Sequence, residues 1–210
     1  MKPRVGVLLG GCGRYDGTEV HEAVLALLEL DRQGAVVECF APSTAQAELV
    51  DHGSGQLVDG VFRSVLVESA RIARGQIVPL AESRSAHLGA LVIPGGQGVV
   101  RALMSGVGEK GRRREALPEV HALVRNFADS RRPIGTSSLA GTLVSTVLGL
   151  PLEEDPFSVP PFEIREDEER GLVWTPGYMT GDRISEVATG IERMVAAILR
   201  RVPRGLEVLS

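Results

Sequence analysis

A chain of 210 residues, 43% hydrophobic and 24% charged, has the composition of a globular protein and is long enough to bury a sizeable core as one domain, 1–210. Its net charge of −4, from 23 basic and 27 acidic residues, leaves no strong field to draw nucleic acid or anionic lipid, and no apolar run reaches the ~20 residues of a membrane helix. The two cysteines, Cys12 and Cys39, lie outside any CxxC or Cys/His cluster, which excludes a disulfide framework and an ordinary zinc site; the apolar run at 5–9 is too short for a signal segment, so the expected location is cytoplasmic.

Residues 5–9 read as a buried strand, followed by the turn Gly10-Gly11-Cys12-Gly13. Val20, Ala23, Val24, Leu27 and Leu28 then recur at helical spacing, and Asp16 with Glu19 three places on resembles a capping box that starts the helix near Gly17 or Thr18. A second strand is expected at 35–40, ended by Ala41-Pro42-Ser43, and a helix at 61–74, closed by Gly75. Strand 90–93 stops at Pro94-Gly95-Gly96, a helix covers 117–128 with Pro118 in its first turn, and Pro133-Ile134-Gly135 feeds Thr136-Ser137-Ser138 and a helix at 139–148. The last strand falls at 172–174 and a terminal amphipathic helix at 184–201. This alternation implies an α/β fold with a mostly parallel sheet between two helical layers, whose ligands sit beyond the carboxyl ends of the strands. Two segments stand apart: a charged connection at 109–115, read as a solvated loop, and an acidic, proline-bearing stretch at 153–170, read as a surface excursion or a lid.

Three turns qualify for chemistry. In the first, the third position of a GxGxxG fingerprint is occupied by Asp16, so a dinucleotide phosphate would meet the wrong charge there. Glu19 and Glu22, three apart, share one side of the first helix above the end of the first strand. A carboxyl at Glu22, beside another and partly desolvated, would have a raised pKa and trade protons near neutrality; the alternative is that both residues simply favour the helix N-terminus. In the second turn, Gly95 and Gly96 offer backbone N–H groups for an oxyanion. In the third, Ser137 and Ser138 occupy a small-residue strand-to-helix turn, but none of His21, His52, His87 and His121 completes a Ser-His-Asp set by sequence position.

The run Gly11-Cys12-Gly13-Arg14-Tyr15-Asp16-Gly17-Thr18-Glu19-Val20-His21-Glu22-Ala23-Val24 closely resembles the first turn of the ElbB-type, isoprenoid-biosynthesis glyoxalase branch of the DJ-1/PfpI (class I glutamine amidotransferase-like) superfamily. Cys39-Phe40-Ala41-Pro42, Val92-Ile93-Pro94-Gly95-Gly96 and Thr175-Pro176-Gly177-Tyr178-Met179 resemble further motifs of that family, in order. The resemblance implies a flavodoxin-like three-layer sandwich, a homodimer, and glyoxalase or deglycase chemistry on small carbonyls with neither metal nor other cofactor. By motif position, Glu22 is the implied acid/base and Gly95 and Gly96 the implied cradle. Cys12, Glu19, His21, Ser137 and Tyr178 are implied to help bind the substrate. The family's elbow cysteine falls on Ser138, and the stretch between Leu150 and Pro160 is shorter than the family pattern. A hydroxyl needs stronger general-base help than a thiol, so transfer of the family's covalent chemistry stops at this residue.

Three functions remain open on the sequence. One is a cofactor-independent enzyme on a small carbonyl or related metabolite, with Glu22 and Ser138 catalytic: weakly glyoxalase-like, or a repurposed hydratase, lyase or isomerase. The others are a non-catalytic binding protein and a subunit that stabilises a partner.

Overall fold

The computed structural model of the protein describes residues 2–46, 48–105, 115–151 and 155–202. Strands β1 (Arg4–Leu8), β2 (Val36–Ala41), β3 (Ile77–Pro79), β4 (Ala90–Ile93), β7 (Ile134–Ser137), β8 (Arg165–Asp167) and β9 (Leu172–Thr175) form one sheet in the order β3-β2-β1-β4-β7-β9-β8. Only β8 runs antiparallel to its neighbour. A short hairpin of β5 (Met104–Ser105) and β6 (Glu115–Ala116) stands apart. The helices are α1 (Val20–Arg32), α2 (Val65–Ile72), α3 (Gln97–Ala102), α4 (Pro118–Asp129), α5 (Ala140–Leu148) and α6 (Ile184–Arg201). This is the flavodoxin-like three-layer α/β fold expected from the sequence.

The alternation of strand side chains sorts the core into two layers. Val5, Val7 and Val92 face α1, α2 and α6 through residues such as Ile191, Met194 and Ile198. Leu8, Phe40, Leu91 and Ile93 face α3, α4 and α5 through Val124, Phe127 and Leu143. Gly135 in β7 lets α6 approach closely, because a Cβ there would collide with Ile198. Strand order reverses at β1: the chain steps outward to β2 and β3, then returns to β4 and β7 on the other side. Sheets with such a reversal bind ligands beyond the carboxyl ends of the strands at the switch, here β1 and β4.

Several sequence expectations are corrected. Helix α1 starts at Val20 rather than near Gly17, with Glu19 as its N-cap: the Glu19 carboxylate accepts the Glu22 N–H at 2.7 Å. Asp16 is not part of a capping box but is buried, accepting the Val50 N–H at 2.9 Å. The helix expected at 61–74 shrinks to Val65–Ile72, because Ala45 and Ser64 form a β-bridge before it. The stretch 153–170 is not all surface excursion, since Arg165–Asp167 is the edge strand β8 and Pro156–Ser158 a 3-10 turn. Its residues 153 and 154, and residues 109–114 of the charged connection at 109–115, lie outside the described residues. Strands β3, β5, β6 and β8 were not expected; two or three residues carry no periodic signal, and the Arg-Glu-Asp of β8 is the charged composition that protects a sheet edge.

Candidate functional site

Four turns converge on the carboxyl side chain of Glu22, which has no exposed surface. Glu22 Oε2 accepts the Ser137 hydroxyl at 2.6 Å and the Gly95 N–H at 3.1 Å. Oε1 accepts the Ser138 hydroxyl and, at 3.0 Å, the Tyr178 N–H. Desolvation of this carboxylate is thus offset by a donor in each of four directions. Elements dictate the arrangement: α1 brings Glu22, β4 delivers Gly95, β7 delivers both serines, and the turn after β9 brings Tyr178.

Ser138 has φ +48°, a left-handed conformation rare for a side-chain-bearing residue, and it stands where β7 breaks into α5. The sharp turn is the nucleophile-elbow geometry, which lifts one side chain off the end of a strand. Its hydroxyl oxygen also lies 3.1 Å from the Pro176 carbonyl. One hydroxyl proton cannot serve both acceptors at once. It points either to Glu22 or to Pro176.

Glycines make the crowding possible. A Cβ on Gly95 would stand 2.6 Å from Ser138 Cβ and 2.8 Å from Glu22 Oε2. Gly177, at φ +52°, would place one against Glu22 Oε1 and 2.8 Å from Ser138 Oγ. Gly177 and the Pro176 carbonyl were missed among the sequence candidates, although the Thr175-Pro176-Gly177-Tyr178 run contains both. The first turn is clamped to the second by the Glu19 N–H, which donates to the Gly95 carbonyl at 2.7 Å.

Of the sequence candidates, Glu22, Ser137, Ser138, Gly95 and Tyr178 are brought into one hydrogen-bonded cluster. The Gly95 N–H is already engaged by Glu22 and, at 3.0 Å, by Ser137, so its first duty is to hold the carboxylate. Gly96, at φ +116°, packs its α-carbon against the backbone of Gly17 and Glu19. His21 is exposed at the rim, its Nδ1 joined at 2.8 Å to the Tyr178 hydroxyl. Burial pushes the Tyr178 phenol up, helped by the charges of Glu19 and Glu22. Burial likewise raises the Glu19 carboxyl, with the Glu22 charge adding to it against the N–H groups that lower it.

Cys12 does not join the cluster. It is half-buried, and its thiol is pushed up by burial and then by the charge of Glu68. Cys39 is buried in the sheet, with its thiol pushed up to about 11 by burial. Neither has the electropositive surroundings of a reactive thiolate. Among the described residues no three His, Cys, Asp or Glu side chains gather to hold a metal ion, and no helix is long and apolar enough to cross a membrane.

No family model matches the chain. It is 34% identical over 221 residues to the human glutamine amidotransferase-like class 1 domain-containing protein 3, mitochondrial, covering 93% of this chain and 82% of that one. It is 33% identical to the rat ES1 protein homolog, mitochondrial, over 94% of this chain and 84% of the relative. Among solved structures, an isoprenoid biosynthesis protein with an amidotransferase-like domain from Ehrlichia chaffeensis superposes with a TM-score of 0.87 at 32% identity, covering 96% of this chain and all of the other. Drosophila melanogaster DJ-1beta, at 16% identity and a TM-score of 0.53, shares the fold, with 96% of each chain covered.

Proposed function

The chain belongs to the ElbB-type branch of the class I glutamine amidotransferase-like family, alongside the ES1 proteins, and from that premise we propose that it is a cofactor-independent enzyme acting on a small carbonyl or related metabolite through a Glu22–Ser138 proton relay. One observation carries this reading: a wholly buried carboxylate is bonded to the hydroxyl of a serine held in elbow geometry. Glu22 is enclosed, so it reaches substrate only through Ser138. As substrate gives up a proton to Ser138 Oγ, the serine's own proton passes to Glu22 Oε1; reversal returns a proton to a different substrate atom. That sequence isomerises the substrate with no covalent intermediate; with a water molecule as the proton donor, whose oxygen adds to the substrate, it hydrates, and its reverse releases that water. A weak glyoxalase-like reaction is one member of this class, because moving hydrogen between adjacent carbons is its essential step. The Gly96 N–H is the donor assigned to a developing oxyanion, and His21 with Tyr178 forms the polar rim. The implied homodimer and a cytoplasmic location belong to the same proposal, the former checked by sedimentation of the purified chain as a dimer, the latter by fractionation of the source cell.

A second reading, a non-catalytic binding member of the family, is favoured by the completeness of the Glu22 hydrogen bonds, which leave that carboxylate no valence for a ligand. Two variants decide between them. Glu22→Gln puts an amide N–H against a backbone N–H, and is expected to lower stability by about 1–3 kcal/mol and to abolish turnover of small dicarbonyls screened with product analysis. Full activity of this variant would end the relay assignment. Ser138→Ala is expected to cost at least about 10²-fold in kcat, the scale of general acid–base help, with the fold kept. Should no wild-type turnover of any carbonyl in the screen exceed that of Ser138→Ala, the binding reading replaces the enzyme.

A further inference from the structure

Between α5 and the β8–β9 edge, against the elbow, lies a cavity of about 790 Å³, within the roughly 300–1,000 Å³ of small-molecule sites. Its apolar wall includes Leu139, Val144, Leu150, Phe157, Trp174 and Met179, and Thr136 and Ser138 close its β7 end. Ser138 is thus common to this cavity and to the Glu22 cluster. Trp174 ties the two together: its indole N–H donates to the Ser138 carbonyl at 2.9 Å. Gly141 makes room for the indole, since a Cβ there would stand 2.7 Å from Trp174 Cδ1.

The rim is charged, but its charges are already paired. Arg165 lies 3.7 Å from Glu163, Arg170 lies 2.8 Å from Asp167, and Glu166 lies 2.5 Å from Arg201. A charged ligand would compete with these partners for the rim groups or enter without a counter-charge against a largely apolar wall. Phe157, 71% exposed, presents an aromatic lip at the entrance. These features select an uncharged molecule with an apolar body.

We propose that this cavity holds the apolar part of an uncharged substrate whose polar end meets Ser138. The assignment rests on the reading of Ser138 as the reacting hydroxyl, and it narrows the substrate from small carbonyls in general to neutral ones bearing a hydrocarbon portion. The two arginines of its rim, Arg165 and Arg170, are each already paired with a carboxylate, so a neutral carbonyl is favoured there over a 2-oxoacid.

Trp174 is the sole tryptophan, so its fluorescence reports this cavity alone. Titration of the full chain with 2-octanone is expected to give a saturable change in emission, and octanoate of the same chain length to bind at least about tenfold more weakly. Ser145→Phe, which fills the cavity from α5, is expected to abolish the change. Phe157→Ser, at an exposed position that folding does not depend on, is expected to weaken it several-fold. Ser138→Ala is expected to keep 2-octanone binding while losing turnover. No saturable change with 2-octanone, equal binding of octanoate, or a Phe157→Ser variant indistinguishable from wild type overturns the cavity assignment. Turnover of a long-chain ketone that persists in Ser145→Phe would also overturn it while leaving the Glu22–Ser138 relay intact; binding that survives in a protein without turnover would support the cavity and remove the relay.

Discussion

Glu22 and Gly177 are mutually dependent. The left-handed φ of Gly177 carries the turn after β9 across the carboxylate, delivering the Tyr178 N–H, and a methyl group at that α-carbon meets Glu22 Oε1 and Ser138 Oγ together. Gly177→Ala is therefore expected to cost about 2–3 kcal/mol, from backbone strain and displacement of the carboxylate, and to reduce turnover in parallel, read by denaturant unfolding beside kcat. Glu19 tests the electrostatics of the same corner. Its carboxyl is raised by burial, so the folded state holds its proton more tightly than the unfolded chain does. Its favourable contribution is present below the unfolded value and fades as pH rises through the raised folded value. Glu19→Gln keeps an oxygen to cap α1 but cannot ionise. Wild-type stability relative to this variant should fall as pH rises from acid toward neutrality, measured by thermal unfolding at pH 4 and pH 7. An unchanged or rising difference would contradict the raised carboxyl.

At the scale of elements, the site is a contact between turns. Gly98, in the first turn of α3, lies against the backbone of Asp16 and Gly17, and a Cβ there would overlap the Gly17 nitrogen. Since backbone meets backbone, neither side can yield by a rotamer change. Gly98→Ala is expected to separate the first turn from the second, cost upwards of about 3 kcal/mol as an overpacking change, and leave a less protected α1 N-terminus in hydrogen exchange. Much of this framework was legible in the sequence. Val5, Val7 and Leu8 announced β1 through continuous burial, Pro94-Gly95-Gly96 announced the turn into α3, and Ile184 onward announced α6 through its apolar stripe. The resemblance placed Glu22 and Ser138, and the geometry brings them together. What was hidden depends on distant partners. Asp16 looked like a cap by spacing, but Val50, 34 positions away, takes its carboxylate. Gly177 stood only within a motif and was not singled out, because its conflict with Glu22 exists only once β9 pairs with β7. The Gly95 N–H was expected to meet an oxyanion, and its engagement by Glu22 and Ser137 was equally hidden, since both partners are distant in sequence.

Across the whole molecule, the two ends of the sheet do different work. The carboxyl ends gather Glu22, the serines and Tyr178, while the opposite end is closed by Arg132, which is 7% exposed and stacks 4.0 Å over Phe127. Arg132 donates to the Ser85 carbonyl at 2.5 Å and the Leu88 carbonyl at 2.9 Å. Burial lowers its pKa, and its value lies in the fork of N–H donors. Arg132→Lys, which lacks that fork, should lower stability by about 1–3 kcal/mol and leave kcat unchanged. An altered kcat would show that the ends are coupled. The four donors on Glu22 also have a consequence for the order of events as the chain acquires its structure. They come from positions 95, 137, 138 and 178, so the carboxylate is laid down early in synthesis and waits for nearly the whole chain to be made. Parallel pairings between strands so distant in sequence form slowly, and a charge is not worth enclosing until its partners have arrived. Closure of the Glu22 corner should accordingly follow the rate-limiting step, so that substitutions there hasten unfolding while the refolding rate hardly moves.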